Sequence, residues 1–347
     1  MVYSLQFIVY SLKLKFLFIL LAVVLGSTAA IADTKTYVVN VNYNGTKATV
    51  TIPSEVSNYV TCESGESSIV KLVQTSTTTA NPGEIIYALK GETENGMFYL
   101  TGEFKATLRL DGVTICNPDS SAIHVKNGKR IKVSMTANTV NTLSDGVADT
   151  TSKGCFHSKG HTEFVGKGTL NISSKFRHAI YSKEYVEIKN CTLNITGAKK
   201  DGIHCQEYLL MNSGTVNISG VEDDGIQVEL KDSVDTGVTK AHEGENSGNL
   251  YMVNGTLNIS DVGDKCIKTY GTITLTGGKQ NFDVTNVKEN AKEGDSPIVD
   301  MISITRYSQS PDAIYDFSGR RMPDDACLPK GIYIVKEGDR TRKILVK

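Results

Sequence analysis

Between Gly154 and Lys268 apolar and polar residues alternate in short runs, and the runs return on a fixed beat. The sharper of two recurring phrases is Gly168-Thr169-Leu170-Asn171-Ile172, which comes back as Cys191 to Ile195, Gly214 to Ile218 and Gly255 to Ile259. Its central apolar residue, at 170, 193, 216 and 257, steps by 23, 23 and 41 residues. The second phrase, small-Ile-polar, reads as a turn and places Phe156, Ile180, Ile203, Ile226 and Ile267 at steps of 24, 23, 23 and 41. Both beats stretch in the same repeat, which puts an 18-residue insertion, about Glu229 to Gly248, between its turn and its strand. Leu170 and Ile172 share one side of an extended strand and Thr169 and Asn171 the other, because side chains alternate. Stacking the units in parallel buries a column of Leu/Val, a column of Ile and the Ile/Phe of the turn phrase. The spacers are too short and too polar for helical crossovers. The pattern therefore predicts an all-β fold, a parallel β-helix of about 23-residue rungs, with the right-handed form expected.

Outside this stretch the pattern changes. Residues 1–32 read as a signal peptide: Lys13 and Lys15 precede an apolar run from Phe16 to Leu25, and Ala30-Ile31-Ala32 supplies a small-x-small cleavage site. No later stretch reaches the ~20 apolar residues of a spanning helix, so no stable membrane insertion is expected once that segment is removed. Alternating Tyr37, Val39, Val41 and Ala48, Val50, Ile52 around Asn44-Gly45 signal a hairpin. With the short strands that follow it, 33–107 is expected to form an N-terminal β cap over the open end of the solenoid. Rungs are expected from about Leu108, giving a β-helix domain over 108–302, with regular rungs to about Val287, a charged linker over Lys288 to Ser296 and one more strand at Ile298 to Ile304. Three short strands are expected in a C-terminal β module, 303–347.

Composition fits a stacked, Gly-turned β-structure: there are 31 Gly, 7% aromatics and no Trp. Without the first 32 residues Lys+Arg number 35 against 38 Asp+Glu, a balance that offers nothing to nucleic acid. The seven cysteines, Cys62, Cys116, Cys155, Cys191, Cys205, Cys266 and Cys327, are odd in number and form no C-x-x-C pair. Their number and spacing indicate neither a disulfide framework nor a zinc site, and they are expected to pack as small residues inside or at corners.

Candidate chemistry lies in the columns. Two residues before the turn Ile stand Ser121, Gly154, His178, Asp201, Asp224 and Lys265. Asp201 and Asp224 would stack on adjacent rungs ~4.8 Å apart, where one pKa rises unless a cation intervenes. With Asp223 and Asp264 beside them they offer the oxygen-rich cluster that calcium needs. Asp before Gly is also a common turn former, and that reading stays open. Just after the turn Ile come His124, His157, Tyr181, His204, Gln227 and Lys268, expected to face outward as a stripe. His157, Tyr181, His204, Gln227 and Lys268 are the candidate carbohydrate-binding residues, although ordinary solvent-exposed turn chemistry would also produce such a column. The insertion starts beside Gln227 and Asp224 and could wall a groove there. The outward Thr-x-Asn ladder reads chiefly as hydrogen bonding along the stack.

Strands of the form GTLNI alternating with DGIHC and DGIQV turns, after NTVNTLSDG at Asn138 to Gly146, resemble a family of secreted carbohydrate-binding right-handed β-helix proteins that bind calcium and are like pectate lyases in fold. The resemblance covers about Leu108 to Val287, and it implies a cellulose-like or acidic pectic polysaccharide as partner. The chain departs from Asp-Gly-Ile at His178-Ala179-Ile180 and Lys265-Cys266-Ile267, which puts calcium at those two rungs in question. YDFSGRRM and LPKGIYIV in the tail resemble C-terminal sorting domains of type IX secretion, implying secretion machinery as a partner and a secreted or cell-surface location. The leading expectation is a non-catalytic, calcium-assisted carbohydrate-binding protein. A calcium-dependent polysaccharide lyase with Lys265 as the base is the alternative, and a structural or adhesive surface protein is a further one.

Overall fold

The computed structural model describes residues 37–64, 67–75, 84–147, 151–232, 241–282, 313–316, 320–322, 331–337 and 340–346, with side chains in the last two stretches described only for Tyr333, Ile334 and Lys336. The expected signal peptide, the charged linker and the strand at Ile298 to Ile304 lie outside these residues. Every regular element among them is a β-strand.

The chain winds as a parallel β-solenoid whose regular coils carry three strands each, one on each of three faces. The turn phrase is itself a strand, as in Gly154–Ser158, His178–Ser182 and Ile203–Gln206. On this first face Phe156, Ile180, Ile203, Ile226 and Ile267 stand in direct register. The strand phrase forms another face, where Ile172, Ile195, Ile218, Ile259 and Phe282 stack in the same way. Between them runs a face that the repeat phrases do not show, with Val133, Phe164, Ile188, Met211 and Met252 in register. All these side chains are buried, and each contributes about 1.5–3 kcal/mol on leaving water.

The parallel pairing starts earlier than the sequence pattern places it. Tyr37–Asn44 pairs in parallel with Ile85–Thr93, which pairs with Ala106–Asn117. Likewise Ile69–Gln74 and Met97–Gly102 continue the first face in parallel. The region before Leu108 thus supplies coils of the solenoid itself. Only Lys47–Thr51 and Val60–Cys62 pair antiparallel there, at the end of the stack, where a parallel edge would otherwise lie open. These coils differ in length and lack the Gly-Thr-Leu-Asn-Ile phrase, which is why periodicity alone does not register them.

The turn glycines are fixed by close approach. A Cβ on Gly202 would stand 2.6 Å from the Gly225 carbonyl oxygen, and one on Gly225 would stand 2.6 Å from that of Cys266. On the strand-phrase face the outward amides form a ladder. Asn194, Asn217, Asn258 and Asn281 each donate Nδ2 to the Asn Oδ1 of the preceding rung at 2.6–2.8 Å. Cys155, Cys191, Cys205 and Cys266 are buried thiols, as expected of small packed residues, while Cys62 is exposed. Ala313–Asp316, Gly331–Glu337 and Arg340–Val346 form a separate three-stranded antiparallel sheet, matching the three strands expected in the tail.

Candidate functional site

The column two residues before the turn Ile becomes a ladder of side chains that cap the next rung. The His178 Nδ1 atom lies 3.2 Å from the Asp201 backbone N–H, Asp201 Oδ1 accepts the Asp224 N–H at 3.3 Å, and Asp224 Oδ1 accepts the Lys265 N–H at 3.0 Å. The aspartates therefore do turn work, but on the neighbouring rung rather than on their own backbone. Their remaining oxygens differ. Asp201 Oδ2 lies 2.8 Å from His204 Nδ1 and 3.1 Å from His178 Nδ1. Asp224 Oδ2 is fully buried, accepts no well-formed hydrogen bond from a described residue, and has Lys268 Nζ 3.4 Å away.

Electrostatics follow this geometry. Burial alone would raise the Asp201 carboxyl, but the two imidazoles hold it well below the usual carboxylate range. Burial pulls the His178 ring down; for His204 the hydrogen bonds to Asp201 and Glu229 outweigh burial and push it up to about 9. Burial, then the Asp201 charge, pushes Asp224 up to about 7. The positions where the column departs from Asp thus bring nitrogen to its acids. His178 serves Asp201, and the Lys265 ammonium pairs with Asp264 Oδ2 at 2.8 Å. Asp223 is half-buried, and its carboxylate lies in one cluster with those of Asp201 and Asp224.

The donor set gives calcium a partial fit. Asp201 and Asp264 are closely engaged by nitrogen, leaving as oxygen donors Asp223 and the Asp224 Oδ2, which accepts no well-formed hydrogen bond from a described residue and has the Lys268 ammonium 3.4 Å away. Two carboxylates fall short of the six to eight oxygens calcium takes, so water and oxygens of a ligand would complete the shell.

The column after the turn Ile is in register as expected, with His124, His157, Tyr181, His204, Gln227 and Lys268 on successive rungs. Its rings, however, pack on one another, face to face in two pairs and edge-on between His157 and Tyr181. His124 and His157 stack at 4.2 Å between centroids, and Tyr181 and His204 at 5.2 Å. Tyr181 is 4% exposed and His204 8%, so the expected outward aromatic stripe is a largely buried stack with little face left for a sugar. The open part of the column is its far end. Gln227, Glu229, Leu230, Lys268, Thr269 and Tyr270 line a cleft of about 360 Å³, a size in the usual range of ligand sites. Tyr270 is 53% exposed there; sequence reasoning missed it because it stands outside the repeat columns.

The insertion contributes its first residues to this cleft and then turns away. Lys231 N–H donates to Asn246 Oδ1 at 2.9 Å, which pins the neck. The returning segment, 241–248, packs over the middle face, where the His242 ring lies 5.3 Å from Tyr208 and 4.4 Å from Tyr251. Residues 233–240 of the insertion lie outside the described residues. Lys231 itself reaches a second acidic group, 2.5 Å from Glu184 and 3.1 Å from Glu207, both also facing His161.

Residues 73–314 match the family described as carbohydrate-binding domain-containing protein. A protein of that description from Acetivibrio thermocellus is 26% identical over 112 residues, which are 30% of this chain and 39% of that relative. The chain thus spans well under two thirds of that relative's length. A solved structure, described as the polysaccharide lyase-like protein from C. thermocellum in a gadolinium derivative, superposes with a TM-score of 0.49 at 18% identity, covering 72% of this chain and 98% of that one.

Proposed function

We propose that this chain, which belongs to the carbohydrate-binding domain-containing family, binds an acidic polysaccharide without cleaving it, along the cleft beside Gln227 and Lys268. The observation that carries the reading is the cleft itself, where the exposed Tyr270 ring stands among Gln227, Glu229 and Lys268. An exposed aromatic face offers an apolar platform to a sugar ring while neighbouring polar groups fix its hydroxyls. Asp223 and Asp224 would hold calcium at the same rim, and a bound calcium supplies the positive charge that draws uronate carboxylates to an otherwise acid-rich edge.

A lyase gains no support from this geometry. The Lys265 ammonium is mostly buried, held by Asp264 Oδ2 at 2.8 Å, and stands outside the lining of the cleft. Affinity electrophoresis through gels containing polygalacturonate or a soluble cellulose derivative tests the proposal. Retardation by polygalacturonate in calcium, relieved by a chelator and weakened in Tyr270→Ala, is expected. Retardation by the cellulose derivative alone, indifferent to chelator, would overturn the acidic-ligand and calcium parts; no retardation on any glycan would overturn the whole reading.

A further inference from the structure

Three groupings of possible metal donors occur among the described residues, and they differ in what already fills them. His161, Glu184 and Glu207 converge, but the Lys231 ammonium sits between the two carboxylates and takes the place of a cation. Asp201, Asp223 and Asp224 offer oxygen alone, and Asp223 and Asp224 of that group belong to the calcium reading. The third, His178, Asp201 and His204, combines two imidazole nitrogens with one carboxylate oxygen, and all three side chains are at least nine-tenths buried.

We infer that His178 Nδ1, His204 Nδ1 and Asp201 Oδ2 form a binding site for a divalent transition metal of the zinc class. The donor spacing fits. Ligands at zinc bond lengths of ~2.0–2.1 Å in tetrahedral array stand about 3.3 Å apart, and the two nitrogens here lie 2.8 and 3.1 Å from the shared oxygen. All three donor atoms lie within 4.8 Å of one another, and an ion between them would take the His178 Nδ1 lone pair that now faces the Asp201 N–H at 3.2 Å. The donor types also fit: paired imidazoles suit zinc, copper or nickel and suit calcium poorly.

The second ring nitrogen of His204 strengthens the assignment. Its Nε2 faces Glu229 Oε2 at 3.5 Å, and Glu229 is steadied in turn by Gln227 Nε2, 2.7 Å from its Oε1. A carboxylate on the far nitrogen is how metal-bound histidines are oriented, since it fixes the tautomer that presents the other nitrogen to the ion. Glu229 lines the cleft, so the site lies directly behind it. Three protein ligands leave a fourth position for water or a ligand oxygen.

Zinc titration of the chelator-stripped mature chain against a chromophoric chelator, in millimolar calcium, tests the site. One equivalent of zinc is expected, undiminished by calcium, with affinity falling at least ~100-fold in His178→Gln and His204→Gln. Glu229→Gln, half-exposed and harmless to the core, should weaken zinc ~10–100-fold. Cobalt in place of zinc should give a visible d–d band with nitrogen and oxygen donors, which needs no variant to read. Absence of that band, absence of stoichiometric zinc uptake by the folded wild type, or uptake that survives in the His178→Gln/His204→Gln double variant would each overturn the inference. Glycan binding is read separately, so loss of the carbohydrate proposal leaves this result standing, and the converse.

Discussion

Asp145 and Asp224 are both buried carboxylates whose pKa burial raises, and different neighbours oppose that rise. Asp145 accepts the Ser174 hydroxyl at 2.8 Å and the Lys175 N–H at 2.7 Å, yet burial outweighs these bonds and raises its pKa to about 6. A carboxyl whose folded pKa is raised holds its proton more tightly when folded. Its contribution to stability is fully present below its unfolded pKa near 3.9 and is lost as pH climbs through about 6. Urea unfolding of wild type should therefore show stability falling by roughly 3 kcal/mol from this group between about pH 4 and 7. Asp145→Asn should flatten that slope, and an unchanged slope in the variant would contradict the assignment. Asp224 depends instead on Lys268, 3.4 Å away. Lys268→Met should destabilise by about 1–3 kcal/mol, because it strands a buried charge. Adding Asp224→Asn should recover most of the loss, a coupling that a double-mutant cycle measures directly.

At the scale of the strand, the two phrases do different work. The Asn ladder joins rungs side chain to side chain, and Asn217 both donates to Asn194 at 2.7 Å and accepts from Asn258 at 2.6 Å. Asn217→Ala should cost about 1–2 kcal/mol in chemical unfolding, since two partners are lost at once. The turn phrase is constrained by its backbone. Gly225→Ala would drive a methyl to 2.6 Å from the Cys266 carbonyl and 2.8 Å from Ile259 Cγ2. It should cost about 2 kcal/mol or more, with a lowered Tm by calorimetry as the check. The Gly of Asp-Gly-Ile is thus required by stacking, whatever the Asp beside it does. The middle face went unread because its strands share no phrase. Thr162 to Val165, Val186 to Lys189 and Tyr208 to Met211 agree only in where their apolar residues fall. The signal was present at the same beat, in Phe164, Ile188, Met211 and Met252, but without the flanking Gly-Thr or Asn that made the other face conspicuous.

For the molecule as a whole, repetition made the stack legible and its exceptions placed the candidate site. Alignment of columns brought Asp201 beside Asp224 and Gln227 beside Lys268 without coordinates. It could not show that rings one rung apart would bury their faces on each other, since period alone gives register and not side-chain rotation. Nor could it show that His178, a departure from the Asp column, would turn its nitrogen onto Asp201 one rung away. The cleft is visible only in three dimensions, because Tyr270 joins it from beyond the end of a strand. Isothermal titration of an oligogalacturonate into the protein in millimolar calcium tests the carbohydrate-binding reading most directly. Saturable binding is expected, reduced at least tenfold in Tyr270→Ala and in Lys268→Met, and abolished by chelator. No heat of binding to this or any other glycan, or binding that both variants retain in full, would contradict it.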